Sequence, residues 1–155
     1  RGVARFSSPL PPPTAVKVLI VGLGGAGKAA AAAAESLGME VIRMNRTIKD
    51  EKTRALSDFT ECFREADIVI YNIPTAIPGL SELTDEDFGA GKPKCILEAN
   101  YKTPSFDEGF IRKMKKANPL AEYTSGKTWL LYQAVTGYEL FTGEKPDLAK
   151  MADVL

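Results

Sequence analysis

Apolar residues along the chain follow two rhythms in alternation. Val16-Lys17-Val18-Leu19-Ile20-Val21 is a short, almost unbroken β-branched run, as a strand covered on both faces should be. Glycines follow, then Lys28 and an alanine tract, Ala29 to Ala34, closing on Leu37-Gly38. Alanine is the best helix former and glycine a common stop, so this predicts a helix able to pack very closely on a sheet. Met39 to Met44 predicts a second strand, Lys49–Leu56 and Asp58–Glu65 helical stretches, and Asp67 to Tyr71 a third strand. Pro74, Pro78 and Gly79 predict a loop from Ile73 to Leu80. Thr84-Asp85-Glu86-Asp87 predicts a short capped helix. Lys94 to Ala99 predicts a fourth strand. Ser105 to Lys116 predicts a helix, whose early acids and late Arg112, Lys113, Lys115 and Lys116 match its dipole. Pro119 to Tyr123 predicts a short fifth strand. Gly126 to Phe141 predicts a last long helix closed by Gly143, with a short tail from Pro146.

Strands alternating with helices at this spacing predict an α/β fold: a doubly wound parallel sheet with helices on both faces. Residues 1–14 stand apart. Ser7-Ser8-Pro9-Leu10-Pro11-Pro12-Pro13 can form neither a helix nor a central strand, because proline fixes φ and removes a donor. This stretch is expected to be an extended linker or leader, and residues 15–155 the domain itself.

Composition narrows the chemistry. The chain has 155 residues, 45% apolar and 26% charged, which suits one soluble domain with a real core. Its 20 Lys and Arg balance its 20 Asp and Glu, which argues against nucleic acid or a membrane surface as a partner. No apolar run is long enough for a membrane span. The absence of histidine excludes Ser-His-Asp triads, Cys-His pairs and HExxH zinc sites within this chain. Cys62 and Cys95 are lone cysteines, expected to be reduced, buried thiols of a cytoplasmic protein.

The sharpest motif is Gly22-Leu23-Gly24-Gly25-Ala26-Gly27. Gly22, Gly24 and Gly27 fit GxGxxG between a predicted strand and a predicted helix, the Rossmann dinucleotide context. The first glycine permits the tight turn, the second lets backbone approach a pyrophosphate, and the third lets helix pack on strand. Free N–H groups at the helix start face the anion. Gly22 to Lys28 also fits most of a phosphate-binding P-loop, but the next residue, Ala29, lacks the hydroxyl that would hold Mg²⁺. The end of the second strand selects the dinucleotide. An acid there would bond the ribose 2′-OH of NAD and repel a 2′-phosphate. The chain offers Asn45-Arg46-Thr47, with Lys49 just beyond. Arg46 can clamp a 2′-phosphate with two N–H groups and stack on adenine, and Thr47 adds a hydroxyl donor. NADP is therefore favoured over NAD.

Three motifs in order, Gly22 to Ala26, Asn45 to Thr47, and Ser125-Gly126-Lys127-Thr128-Trp129-Leu130-Leu131-Tyr132-Gln133, resemble the NADP-binding domain of shikimate dehydrogenases. The resemblance spans about Val16 to Asp147 and includes the Thr142-Gly143-Glu144-Lys145-Pro146 ending. It implies that Gly22, Leu23, Gly24, Gly25 and Ala26 hold the pyrophosphate. Asn45, Arg46 and Thr47, with Lys49 beside them, would hold the 2′-phosphate. Ala99, Gly126 and Trp129 would flank the nicotinamide, with Trp129 where the family has methionine. Tyr101 and Gln133 would touch substrate, Gln133 through an amide that both donates and accepts. Glu98 stands for the usual Asp, and Thr128 for a glycine. The substrate class implied is a shikimate-like polyol acid, whether shikimate, quinate or a relative. In that family the catalytic Lys–Asp pair and the hydroxyls that bind the substrate carboxylate lie in a preceding domain, and nothing before Val16 matches them. The expectation is a cofactor half: part of an enzyme reducing 3-dehydroshikimate to shikimate in aromatic amino-acid biosynthesis, and inactive alone. The alternative is a non-catalytic NADP-binding sensor or scaffold.

Overall fold

The computed structural model describes residues 15–155; the proline-rich segment lies outside them. Six strands form one all-parallel sheet: β1 (Lys17–Val21), β2 (Glu40–Asn45), β3 (Thr53–Ala55), β4 (Ile68–Tyr71), β5 (Lys94–Glu98) and β6 (Ala121–Thr124). Their order is β3-β2-β1-β4-β5-β6, the Rossmann order. Val18 pairs with Val41 on one side and Ile68 on the other. The chain therefore reverses its direction of travel across the sheet between β1 and β4, which opens a crevice at their carboxyl ends.

Alternation along β1 divides two cores. Val18 and Ile20 face Ala31 and Ala34 of helix α1 (Gly25–Ser36). Only small side chains on α1 allow that approach. Leu19 and Val21 face the opposite core with helices α2 (Phe59–Glu65), α3 (Pro78–Glu82) and α4 (Glu108–Ala117). That core is aromatic: Phe63 meets Phe88 edge-on at 5.7 Å, Phe106 meets Phe110 at 4.9 Å, and Tyr71 meets Phe106 at 5.2 Å. Helix α5 (Gly126–Thr142) lies over β5 on the α1 side. It ends at Gly143, whose φ of 72° suits glycine. A short helix, α6 (Leu148–Ala152), occupies the tail.

The structure corrects three expectations. The first of the two helical stretches, Lys49–Leu56, is instead the edge strand β3 followed by a 3-10 turn, Leu56–Asp58. Asp50 Oδ1 accepts from the Lys52 N–H and the Thr53 hydroxyl at 2.9 Å each. That local turn competes with helix, and Arg43 then pairs with Thr53 in the sheet. The loop from Ile73 contains α3, started by Pro78 at its first turn. The helix expected from Ser105 begins at Glu108, because Asp107 caps it by accepting from the Phe110 N–H at 2.7 Å. The short capped turn at Asp85–Phe88 is present, with Thr84 and Asp87 bonding reciprocally.

Both cysteines are free, and burial pushes both thiols up, as in inert structural cysteines. Lys94, the first residue of β5, is buried with its Nζ donating to the Phe63 carbonyl at 2.7 Å and to the Ala66 carbonyl. These carbonyls lie at the carboxyl end of α2, where a cation is favoured. Burial nevertheless pushes the Lys94 ammonium down to about 8, against the pull of Asp67 and Asp87. The unfolded chain keeps that proton to 10.5. Between those values the unfolded state binds more protons, so the Lys94 contribution to stability rises with pH, by about 3 kcal/mol across the window. Urea unfolding of this protein beside Lys94→Met should show the extra slope only with the lysine. A constant difference across the window would mean that Lys94 stays protonated in the fold.

Candidate cofactor site

The glycine loop sits at the mouth of the crevice. Gly22 directly follows β1 with φ of 91°, a left-handed conformation that a side chain would strain, and its N–H donates to the Met44 carbonyl at 2.8 Å. Gly27 is buried, and a Cβ there would overlap the Gly22 carbonyl oxygen. Here the first turn of α1 touches the end of β1. Gly24 and Gly25 differ: both are exposed, and a Cβ on either meets nothing within 4 Å. The loop is thus tight on its inner side and open on its outer side, at the amino end of a twelve-residue helix. Ala26 is exposed on the same turn.

Asn45 has a structural job. Its Oδ1 accepts from the Leu23 N–H at 3.4 Å and its Nδ2 donates to the Thr47 carbonyl at 3.1 Å. It therefore ties the glycine loop to the segment after β2. Arg46, Thr47 and Lys49 are all exposed beyond it. The neighbouring arginines are engaged: Arg43 pairs with Glu35 at 2.5 Å, and Arg54 with Asp58 at 3.0 Å. Among the described residues, Arg46 and Lys49 form no ion pair. The segment that Asn45 ties to the open loop thus carries two cations, and no carboxylate ends β2.

The other half of the mouth is built on β4, β5 and β6. Glu98, fully buried, accepts from the Ser105 N–H at 2.5 Å and from the Tyr123 hydroxyl at 2.6 Å. Burial and that bond to a carboxylate push the Tyr123 phenol up. Glu98 therefore fixes where the chain leaves β5. Ala99 continues the ladder, its N–H donating to the Tyr71 carbonyl at 2.9 Å. Tyr101 follows, 41% exposed. Gly126 opens α5, buried so tightly that a Cβ would overlap the Asn100 carbonyl. Trp129 and Gln133 instead line a cleft of about 700 Å³ between α5 and the sheet face of Leu97 and Thr124, whose lining includes no residue of the glycine loop, nor Ala99 or Gly126. Trp129 also packs toward Ala33, Ala34 and Val18 on the α1 side. Tyr101 lies outside that lining.

Sequence reasoning passed over Asn72 as a site residue. It follows β4 at the crevice, with its side-chain nitrogen about one contact distance from the position of a Gly27 Cβ. Its Oδ1 is buried and has no donor. A buried acceptor without a partner is costly, so it marks a place for a donor from outside the chain. The available signal was an amide directly after a buried strand at the turn between β4 and α3.

A family model for the D-isomer specific 2-hydroxyacid dehydrogenase, NAD-binding domain, matches residues 8–97. The chain belongs to this family. The matched part of this NAD-binding domain holds the glycine loop, the segment after β2, and β1 to β5 up to Leu97. Curated relatives extend the likeness. Shikimate dehydrogenase (NADP(+)) of Archaeoglobus fulgidus is 28% identical over 149 residues, 87% of this chain and 54% of that protein. The Natronomonas pharaonis enzyme of the same name is 27% identical, over 88% of this chain and 54% of that protein. Such coverage must run well past Leu97. The chain spans about half the length of the curated relatives it matches. Among solved structures, shikimate 5-dehydrogenase of Thermus thermophilus in complex with shikimate is 29% identical with a TM-score of 0.64, over 88% of this chain and 51% of that one. The same enzyme in complex with NADP(H) and shikimate gives 26% and 0.63. The glycerate dehydrogenase related protein of Thermoplasma acidophilum, 22% identical with a TM-score of 0.56, shares the fold over 72% of this chain. The Rossmann domain and the shikimate dehydrogenase likeness expected from the motifs are both present. No described helix is long and apolar enough to cross a membrane.

Proposed function

We propose that this chain is the NADP(H)-binding half of an oxidoreductase of the shikimate dehydrogenase type, reducing 3-dehydroshikimate or a related polyol acid, on the pathway to aromatic amino acids. The observation that carries the reading is Arg46. It stands exposed and outside any ion pair among the described residues, at the end of β2, where a NAD site would hold a carboxylate. The fit of the dinucleotide rests on three features of this fold: the open outer side of Gly24 and Gly25, the unpartnered Asn72 Oδ1, and the cations beyond β2.

Gly22, Leu23, Gly24, Gly25 and Ala26 would hold the pyrophosphate with backbone N–H groups at the start of α1. Arg46, Thr47 and Lys49 would hold the 2′-phosphate, with Asn45 locking their segment to the glycine loop. Ala99, Gly126 and Trp129 would face the nicotinamide, and Tyr101 and Gln133 the substrate. The bound cofactor supplies the hydride, while the protein orients it and keeps water out. A proton for the ring oxygen needs a group of suitable pKa within reach. Lys94, the lysine whose pKa is lowered toward neutrality, opens β5 and so lies at the sheet's amino-terminal edge, away from the mouth. On the resemblance to shikimate dehydrogenases, we assign the acid–base pair and the substrate-carboxylate ligands to a partner domain. A cytoplasmic location fits two unpaired thiols. A sensor without chemistry is not favoured, because the matched relatives are dehydrogenases.

Mixing this chain with NADPH should give saturable binding, and adding NADP⁺ with shikimate should give no turnover. Steady NADPH formation by the chain alone would overturn the division of labour. Failure to bind NADPH at all would overturn the cofactor assignment.

A further inference from the structure

We infer that Asn100 is a positioning residue that sets the nicotinamide wall of the site by strapping two loops together. The inference rests on the cofactor reading above. Asn100 lies two residues past the end of β5, and its amide is fully used. Nδ2 donates to the Pro74 carbonyl, in the loop after β4, at 3.0 Å, and also to the Thr103 carbonyl. Oδ1 accepts from the Lys102 and Thr103 N–H groups at 3.3 and 3.4 Å. The bonds to Lys102 and Thr103 make a local turn, as asparagine does in many loops. The bond to Pro74 is different in kind, because it crosses 26 positions of sequence and joins the segment after β4 to the segment carrying Tyr101.

The Asn100 main chain completes the arrangement. Its carbonyl fills the space that a side chain at position 126 would need, so the start of α5 rests directly on it. Three segments meet at this one residue: the loop of Asn72 to Thr75, the loop of Tyr101 to Thr103, and the first turn of α5. Glu98 holds the same loop from below through Ser105. Pro74 has no N–H to donate, so its carbonyl is the backbone group through which its residue can be tied. The strap therefore fixes the separation of the β4 and β5 loops, which is the width available to a planar ring between them.

The test separates this wall from the adenosine end. Affinities for NADPH, followed by nicotinamide fluorescence, and for adenosine 2′,5′-bisphosphate, followed by calorimetry, are compared in the unaltered chain, Asn100→Ala and Asn100→Ser. Serine can keep the local turn but is too short to reach Pro74. Both variants should weaken NADPH about tenfold and lose the fluorescence enhancement, with the bisphosphate affinity unchanged. Asn100→Ser should also keep its melting temperature close to that of the unaltered chain. Unchanged NADPH affinity in both variants overturns the inference, as does an equal loss for the two ligands. Binding of neither ligand by the unaltered chain overturns the cofactor reading, and this inference with it.

Discussion

Arg46→Ala should weaken NADPH binding about a hundredfold while changing NADH binding by no more than about threefold. The reasoning is electrostatic and geometric. The 2′-phosphate is the chemical difference between the two cofactors, and a charged hydrogen bond to it has no counterpart in NADH. Arg46 is exposed and free of competing ion pairs among the described residues, so its guanidinium need not abandon a protein carboxylate to engage a phosphate. Lys49 leaves a residual positive charge, which limits the loss. Stacking of the guanidinium on adenine would be lost for both cofactors, which sets the small effect on NADH. Titration of each cofactor with both proteins reads the difference directly. Equal losses for NADPH and NADH would remove the phosphate assignment from Arg46.

Gly27→Ala should cost about 3 kcal/mol of stability and lower the melting temperature by roughly 10 °C. A methyl group at this position overlaps the Gly22 carbonyl oxygen, and both partners are backbone. Neither can swing aside as a flexible side chain would. Relief requires α1 to move away from β1, which opens the contact of Ala31 and Ala34 with Val18 and Ile20. Gly25→Ala is the matched control. It adds the same methyl group two residues earlier, at an exposed position with nothing within 4 Å and no positive φ. Its melting temperature should stay the same or rise slightly, while its affinity for NADPH should fall, because the open outer side is where a pyrophosphate would lie. If Gly27→Ala melted with Gly25→Ala, the contact between α1 and β1 would be softer than its geometry implies.

The glycine motif was legible in sequence because each of its glycines answers a local demand. Turn, anion approach and helix contact all fall within six residues of one strand end. Asn45 was legible as a site residue but not in its job. Its amide spans from Leu23 to Thr47 only after β1 and β2 lie side by side, and that pairing is what puts it between the two loops. Asn72 and Asn100 carried no comparable signal. Each is a single amide after a strand, and its meaning depends on which other loop the sheet order brings beside it.

Local pattern by itself determined the alternation of strands and helices, the alanine face of α1, the caps at Thr84 and Gly143, and the basic segment after β2. These follow from propensity, periodicity and turn chemistry, which act over a few residues. Tertiary structure decided β3, where three residues that could join a helical stretch become a strand because β2 presents an unpaired edge. It also decided which loops form the mouth. Parallel strands all deliver their carboxyl ends to one side, so residues as distant as Gly22, Asn72, Asn100 and Gly126 are collected there. Only the order β3-β2-β1-β4-β5-β6, set by burial of both sheet faces, makes neighbours of them.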